Sequence, residues 1–308
     1  MTEPAIIIGV YKYDMKISGF TFVKNAVKYD YPVAESIRSL LPLVDEMVVN
    51  LGDSEDNTNE LIGSIRSDKI KIIHSVWDKN LREGGKVLAV ETDKAMDAAA
   101  ADADWLFYIQ ADEVIHEKYL PVVRQAMEKY KDDERVEGLL FRYLHFYGSY
   151  NYTGDGRKWY SKEIRVIRNN KHIRAYRDAQ GFRKDGNKLN VKQVDAFIYH
   201  YGWVRNPVFM QSKFRDFGRH WNDEATQKKW EQDQMAKRVE FDYSQVDTLS
   251  VFEGTHPEVM KERIRKADWD FKHDTQKKNF KNFKHRFLYH VQQWFGIRPF
   301  EYRNYNKI

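Results

Sequence analysis

Gln110-Ala111-Asp112-Glu113 is the stretch of this chain best placed to do chemistry. It closes the apolar run from Trp105 to Ile109, which is short enough for a buried strand and too short for a helix. Carboxylates at the carboxyl end of a buried parallel strand lie where open α/β sheets bind ligands. Hard oxygen ligands there suit Mg2+ or Mn2+ holding a diphosphate. A polar helix cap uses the same residue types, so the surrounding elements decide between the two.

Those elements alternate. Lys16 to Val23 reads as a strand, followed by the polar turn Lys24-Asn25 and a helix that starts at Pro32 and carries Val33 to Leu41. Glu46 to Asn50 is a second strand, broken at the turn-and-cap cluster Gly52-Asp53-Ser54-Glu55-Asp56-Asn57-Thr58, which opens a helix with Leu61, Ile62 and Ile65. Ile70 to Ile73 is a third strand. After Gly84-Gly85-Lys86 a helix runs through Ala89, Ala95, Met96 and Ala99 to about Ala101. The Trp105 strand and a helix from Tyr119 to Tyr130 follow. Four strands alternating with four helices predict an α/β fold with a parallel sheet and right-handed crossovers.

The second half changes character. Val136 to Tyr143 and Glu163 to Arg168 alternate as strands do, and His145 to Gly156 between them reads as an aromatic, glycine-bearing loop. Residues 171–203 read as strands and loops. From Pro207 onward mostly helix is expected, with Trp221, Trp230, Trp269 and Trp294 as packing anchors. Four stretches result: an N-terminal extension (1–15), an alternating strand–helix half (16–130), a strand-rich half of the same domain (131–206) and a helical extension with a basic tail (207–308). No Pro/Gly/Ser linker separates the halves, so one continuous body is expected.

Composition narrows the classes. With 308 residues and 42% hydrophobic content the chain can bury a sizeable core, and 31% charged residues exclude a fibrous chain. The absence of cysteine excludes disulfides and thiolate metal sites and fits a reducing, cytoplasmic compartment. No apolar run approaches the ~20 residues of a membrane span, and the start lacks the basic region of a signal peptide. The formal charge of +5 is uneven, because residues 261–308 hold 13 Lys/Arg against 5 Asp/Glu. The body is near neutral and carries no nucleic-acid recognition motif, so no nucleic-acid partner is expected. In the tail, Phe287, Tyr289, Trp294 and Phe295 beside Lys281, Lys284 and Arg286 fit peripheral contact with anionic lipid headgroups, with a charged helix face as the plainer alternative.

Four segments together resemble family 2 glycosyltransferases of the GT-A fold. They are Gly19-Phe-Thr-Phe-Val-Lys-Asn25, the Gly52–Thr58 turn, Gly84-Gly85-Lys86, and the Gln110–Glu113 strand end, in that order. The resemblance covers roughly residues 16–205 and implies a single Rossmann-like, mostly parallel sheet flanked by helices, with residues 16–130 as its nucleotide-sugar-binding half and 131–206 as its acceptor-binding half. It implies transfer of a sugar from a nucleotide-diphosphate donor, UDP-linked by preference, to a saccharide or lipid-linked acceptor in surface-polysaccharide synthesis, with Mn2+ or Mg2+ as cofactor. Two departures stand out. Gln110 replaces the first acid of the family's Asp-x-Asp motif, and the Gly52–Thr58 turn lacks the usual paired acids.

Under that resemblance, Phe20 and Thr21 meet the nucleobase, Asp53 accepts from base or ribose, and Lys86 supplies positive charge, with Asp93 on the same helix a weaker candidate. Gln110 offers an amide oxygen, Asp112 holds the metal with His200 as a further ligand, and Arg205 grips the diphosphate through its planar fork. Asp178, before a glycine in Tyr176–Arg183, takes the place of the general base of an inverting transfer; Asp155 and Glu163 are the reserves. Each of these residues also has a plain structural role open to it as strand, turn, cap, salt-bridge or core residue. A degenerate domain that binds nucleotide or glycan without turnover is the second functional class, and the missing acid at 110 makes it worth carrying.

Overall fold

The computed structural model describes residues 15–78, 80–81, 83–221, 226, 229 and 238–308. Residues 1–14 of the N-terminal extension and Trp230 therefore lie outside the described residues. In chain order the elements are β1 (Ile17–Val23), α1 (Val33–Leu40), β2 (Glu46–Leu51), α2 (Thr58–Gly63), β3 (Ile70–His74), α3 (Lys86–Asp97), β4 (Trp105–Tyr108), β5 (Glu113–Ile115) and α4 (Leu120–Tyr130). There follow β6 (Gly138–Tyr147), β7 (Ser149–Gly154), β8 (Lys162–Arg168), β9 (Ile173–Tyr176), β10 (Gly181–Lys184), β11 (Asn187–Lys188) and β12 (Asn190–Trp203). The last are α5 (Pro207–Trp221), β13 (Leu249–Val251), α6 (Lys261–Arg265), α7 (Phe283–Phe295) and β14 (Asn306–Lys307).

The main sheet runs β13-β7-β6-β8-β4-β1-β2-β3, with β12 beside β6, β5 and β14. The β4-β1-β2-β3 portion is parallel throughout, as the alternation of strands and helices predicts. β8 enters antiparallel between β4 and β6, and β12 lies parallel to β6. β9, β10 and β11 form a separate small antiparallel sheet. The fold is α/β, with a largely parallel central sheet flanked by helices.

Strand periodicity explains the two layers of core, since successive side chains point to opposite faces. Met47, Val49 and Leu51 of β2 pack with Val33, Ile37 and Leu40 of α1 on one face. Val48 and Phe20 pack with Val87, Leu88, Ala95 and Met96 of α3 on the other. Sheet and flanking helices therefore close over the strand bodies and leave the strand ends open.

Three expectations need correction. The aromatic stretch from His145 to Gly156 is not a loop: β6 runs on to Tyr147, turns at Gly148 (φ 70°), and returns as β7. Backbone pairing wins there because alternate rings, Phe146 and Tyr147 among them, have aromatic clusters to enter on both faces. The C-terminal third is not mostly helical among the described residues; α6 has 5 residues, and long irregular stretches pack through their rings. Of the expected anchors, Trp269 is one, donating Nε1–H to the Gly148 carbonyl at 2.7 Å. Trp294 is not, being 70% exposed on the outer side of α7. The side chain of Trp221 lies outside what is described.

Candidate active site

Two cavities meet at the carboxyl end of β4, and Gln110 lines both. The smaller, about 140 Å3, is bounded by Phe22, Lys24, Asn25, Tyr29, Tyr31, Trp77, Asp112 and Lys213, among others. The larger, about 550 Å3, is bounded by Glu163, Arg177, Asp178 and Gln180 on one side and by Arg298, Phe300, Glu301, Tyr302 and Asn304 of the C-terminal segment on another.

The β4 end is held rigidly. The Gln110 N–H donates to Glu113 Oε2 at 3.1 Å, and the Gln110 carbonyl accepts from Ser36 Oγ at 2.9 Å. Glu113 itself turns away from the cavities. It is fully buried in a bidentate pair with Arg165, whose Nε and Nη2 each stand 2.8 Å from it, and it also accepts from Tyr143 at 2.7 Å. Arg165 Nη1 then donates to the Gln180 carbonyl at 3.0 Å. One buried ion pair thus joins the Gln110 turn to the loop that carries Asp178.

Asp112 sits at the lip between α5 and β12. Its Oδ2 is 3.4 Å from Lys213 Nζ, and its Oδ1 is 3.8 Å from His200 Nε2. Burial works to raise the Asp112 carboxyl, but the neighbouring cations, Lys213 first and then Arg205, outweigh it and hold the group below its ordinary value. Lys213 is pushed down to about 7 by burial and by Arg205, against the pull of Asp112.

The tautomer of His200 follows from its neighbours. The Tyr160 carbonyl, 2.8 Å from His145 Nε2, can only accept, so that nitrogen carries the proton. Burial holds the His145 imidazole well below its ordinary pKa, which leaves Nδ1 as a lone pair. His200 Nδ1, 3.1 Å away, must then be the donor. His200 Nε2 is left as a lone pair turned toward the Asp112 carboxylate, a combination that repels unless a cation intervenes. Gly202 keeps the space between them open: a Cβ there would come within 2.6 Å of the His200 ring and 2.8 Å of Asp112 Oδ2. A carboxylate oxygen and an oriented imidazole lone pair suit a divalent ion that takes its remaining ligands from phosphate and water. Among the described residues no group of three or more His, Cys, Asp or Glu is arranged to hold a metal, and Asp112 and His200 stand there as a pair.

The other expected residues distribute unevenly. Asp53 stands behind the small cavity, accepting from Lys24 Nζ at 2.7 Å and from the Trp77 N–H at 3.0 Å. Burial would raise its carboxyl; those two hydrogen bonds hold it low instead. Phe20 and Thr21 are fully buried and line neither cavity. Phe20 stacks on Tyr108 at 5.2 Å within the core, because β1 runs further before its turn, and Phe22 to Asn25 reach the cavity instead. Lys86 is exposed at the start of α3 and borders neither cavity. Asp93 accepts the Ala175 N–H at 2.8 Å and ties α3 to β9, with burial raising its carboxyl. Arg205 is fully buried behind the small cavity, donating to the Tyr29 and Gly202 carbonyls, so its fork is committed to backbone.

Asp178 faces the larger cavity from the β9–β10 turn, between Arg177 (φ 57°) and Ala179 (φ 61°). Two non-glycine residues in left-handed conformation cost about 1–3 kcal/mol each, a strain that collects at functional turns. Burial raises the Asp178 carboxyl above its ordinary value. Nearby Glu163 is 4% exposed, accepts from Gln180 Nε2 at 3.0 Å, and is pushed up to about 8 by burial, with Glu113 and Asp178 adding to the effect against Arg165. Asp155 is spent on structure, accepting from Ser250 and Tyr289 at 2.7 Å each. Lys213, Trp77, His145 and the segment 298–304 were not foreseen. Only Trp77 carried a signal, lying just past β3, where Gly52 lets its indole close in; a Cβ at 52 would come 2.5 Å from Trp77 Nε1.

No family model matches this chain, and no curated protein sequence matches it. Solved structures do. The crystal structure of S. aureus TarS is 16% identical, with 69% of this chain and 41% of that chain covered at a TM-score of 0.39. The chain thus spans less than half the length of that protein. S. aureus TarS 1-349 in complex with UDP is 15% identical, covering 73% of this chain and 70% of that chain at a TM-score of 0.37. Glucosyl-3-phosphoglycerate synthase from Mycobacterium tuberculosis, in complex with Mn2+, UDP-glucose and phosphoglyceric acid, is 17% identical, covering 42% and 44% at a TM-score of 0.30. At such identities and TM-scores these likenesses say nothing of what this chain binds or acts on.

Proposed function

We propose that this chain is a glycosyltransferase that moves a sugar from a nucleotide-diphosphate donor, UDP-linked by preference, to a saccharide or lipid-linked acceptor in surface-polysaccharide assembly. One observation carries the proposal: two cavities of different character share Gln110, with Asp112 on one side and Asp178 on the other. The nucleoside occupies the smaller cavity, against Trp77, Phe22 and the Lys24–Asp53 pair. Asp112 and His200 would hold a Mn2+ or Mg2+ ion, which would supply positive charge against the departing diphosphate. Lys213 adds a cation at the same carboxylate. The acceptor occupies the larger cavity, where Asp178 takes the proton of the attacking hydroxyl, consistent with inversion. Glu163 is the weaker choice, since a group pushed up to about 8 still holds its proton at neutral pH. Gln110 hydrogen-bonds at the junction, where the sugar bridges the two cavities.

Titration with UDP, with and without Mn2+, followed by a transfer assay, tests this. The Asp112→Ala protein should lose the metal-dependent part of UDP binding, and the Asp178→Asn protein should keep UDP binding but lose transfer by about 10²-fold or more. Absence of UDP binding by the unaltered protein would end the proposal. One feature favours a second outcome, nucleotide binding without turnover: Lys213 already stands on the carboxylate and Gln110 adds no charge. UDP binding that ignores Mn2+, with no donor hydrolysis, would select it.

A further inference from the structure

α7 has two faces, and packing accounts for only one. On the inward face Tyr289 is 6% exposed and donates to Asp155 Oδ2 at 2.7 Å. Gln292 Nε2 donates to the Asp155 carbonyl at 3.0 Å, and its Oε1 accepts from Arg298 at 2.9 Å. The opposite face carries Phe283, Phe287 and Trp294, which at about 100° per residue fall within roughly 40° of one another on the helix. They are 81%, 54% and 70% exposed; Phe295, at 69%, stands about 100° round the helix from Trp294, and Ile297, at 55%, follows just past the helix end. His290 stacks on Trp294 at 5.4 Å. A contiguous apolar patch of this kind marks a surface that something covers.

Charge identifies the occupant. From Thr275 to Phe300 the chain has Lys277, Lys278, Lys281, Lys284, Arg286 and Arg298, and no Asp or Glu. Lys281, Lys284 and Arg286 are exposed beside the aromatic stripe. Rings flanked by cations meet both layers of an anionic bilayer surface at once, the aromatics in the boundary with the acyl chains and the cations at the phosphates. No described helix is long and apolar enough to cross a membrane, so the contact is peripheral.

We propose that α7 docks this protein on an anionic lipid bilayer, with Phe283, Phe287, Trp294 and Phe295 in the interfacial layer and Lys281, Lys284 and Arg286 on the headgroups. The segment after α7 supplies Arg298, Phe300 and Tyr302 to the larger cavity. Docking therefore sets that cavity beside the headgroup layer, where a lipid-linked acceptor is presented. That last consequence rests on the transferase proposal, whereas the docking does not.

The test is flotation of the full chain with vesicles of phosphatidylcholine alone or with about 30% phosphatidylglycerol, at about 0.1 M and about 0.5 M salt. The protein should float with the anionic vesicles at least about tenfold more than with the neutral ones, and the excess should fall at high salt. A Phe287→Ser, Trp294→Ser double variant should lose most of that binding while its far-ultraviolet circular dichroism and melting midpoint stay unchanged, because both side chains are exposed. Equal flotation on the two vesicle types, or a double variant that floats like the unaltered protein, overturns the proposal. So does a dimer by light scattering that the double variant splits without any vesicle binding, since the face then belongs to a second copy.

Discussion

Glu163 and His145 are two side chains whose protonation burial dictates. Glu163 has its pKa raised in the folded chain to about 8, against an ordinary 4.5. The unfolded chain therefore gives up this proton first, and the associated stability, full below about pH 4.5, is lost as pH rises toward 8. At about 1.4 kcal/mol per unit, that sums to several kcal/mol across the window. Glu163→Gln should flatten the dependence, so urea melts at about pH 5 and about pH 8 should show the variant gaining on the unaltered protein at the higher value. An unchanged difference between the two would mean that Glu163 ionises freely. His145 reaches the site through His200, passing on the tautomer that the Tyr160 carbonyl imposes. Removing such a partner of a metal-binding imidazole typically weakens the metal by about 10–100-fold. His145→Phe should do so for Mn2+ in the presence of UDP, measured by the electron paramagnetic resonance of free Mn2+. Unaltered affinity would take His200 out of the ligand set.

The β4–β5 turn shows what positions the site. Its geometry depends on the buried Glu113–Arg165 pair, which also reaches the Asp178 loop through the Gln180 carbonyl. Glu113→Gln leaves a guanidinium buried without its counter-charge, which costs about 3–5 kcal/mol. Chemical denaturation should show that loss, and a change below about 1 kcal/mol would mean that Arg165 finds another partner. The parallel half of the sheet was legible in the sequence because each of its strands is a short apolar run that stops at a polar cluster. The β6–β7 hairpin was not, since a glycine among aromatic residues reads as a loop until both faces of the strand are known to be covered. Asp112 was legible for the same reason as its strand. Lys213 was not, because nothing in local periodicity tells that a lysine on α5 stands 3.4 Å from a carboxylate 101 residues earlier. Phe20 and Thr21 were assigned by the right strand and missed by position, since a strand's usable end is set by its pairing register.

At the scale of the whole molecule, the last residues of the chain return to the sheet. β14 pairs with β12, the Asn304 carbonyl accepts from Arg183 Nη1 at 2.8 Å, and Arg298 donates to the carbonyls of Trp159 and Gly156 at 2.8 Å each. These contacts make the C-terminal segment a wall of the larger cavity while the smaller one is built without it. Removal of residues 298–308 should therefore separate the two halves of the proposed reaction. UDP binding should stay within a few-fold of the full chain, because Trp77, Lys24, Asp112 and Lys213 keep their partners. Transfer to an acceptor should fall by about 10²-fold or more, the usual consequence of a loosely positioned reactant. Calorimetry with UDP and a transfer assay on the same preparation read the two effects apart. Transfer at the full rate would show that the segment is not part of the acceptor site, whereas loss of both would mean that it holds the sheet itself together.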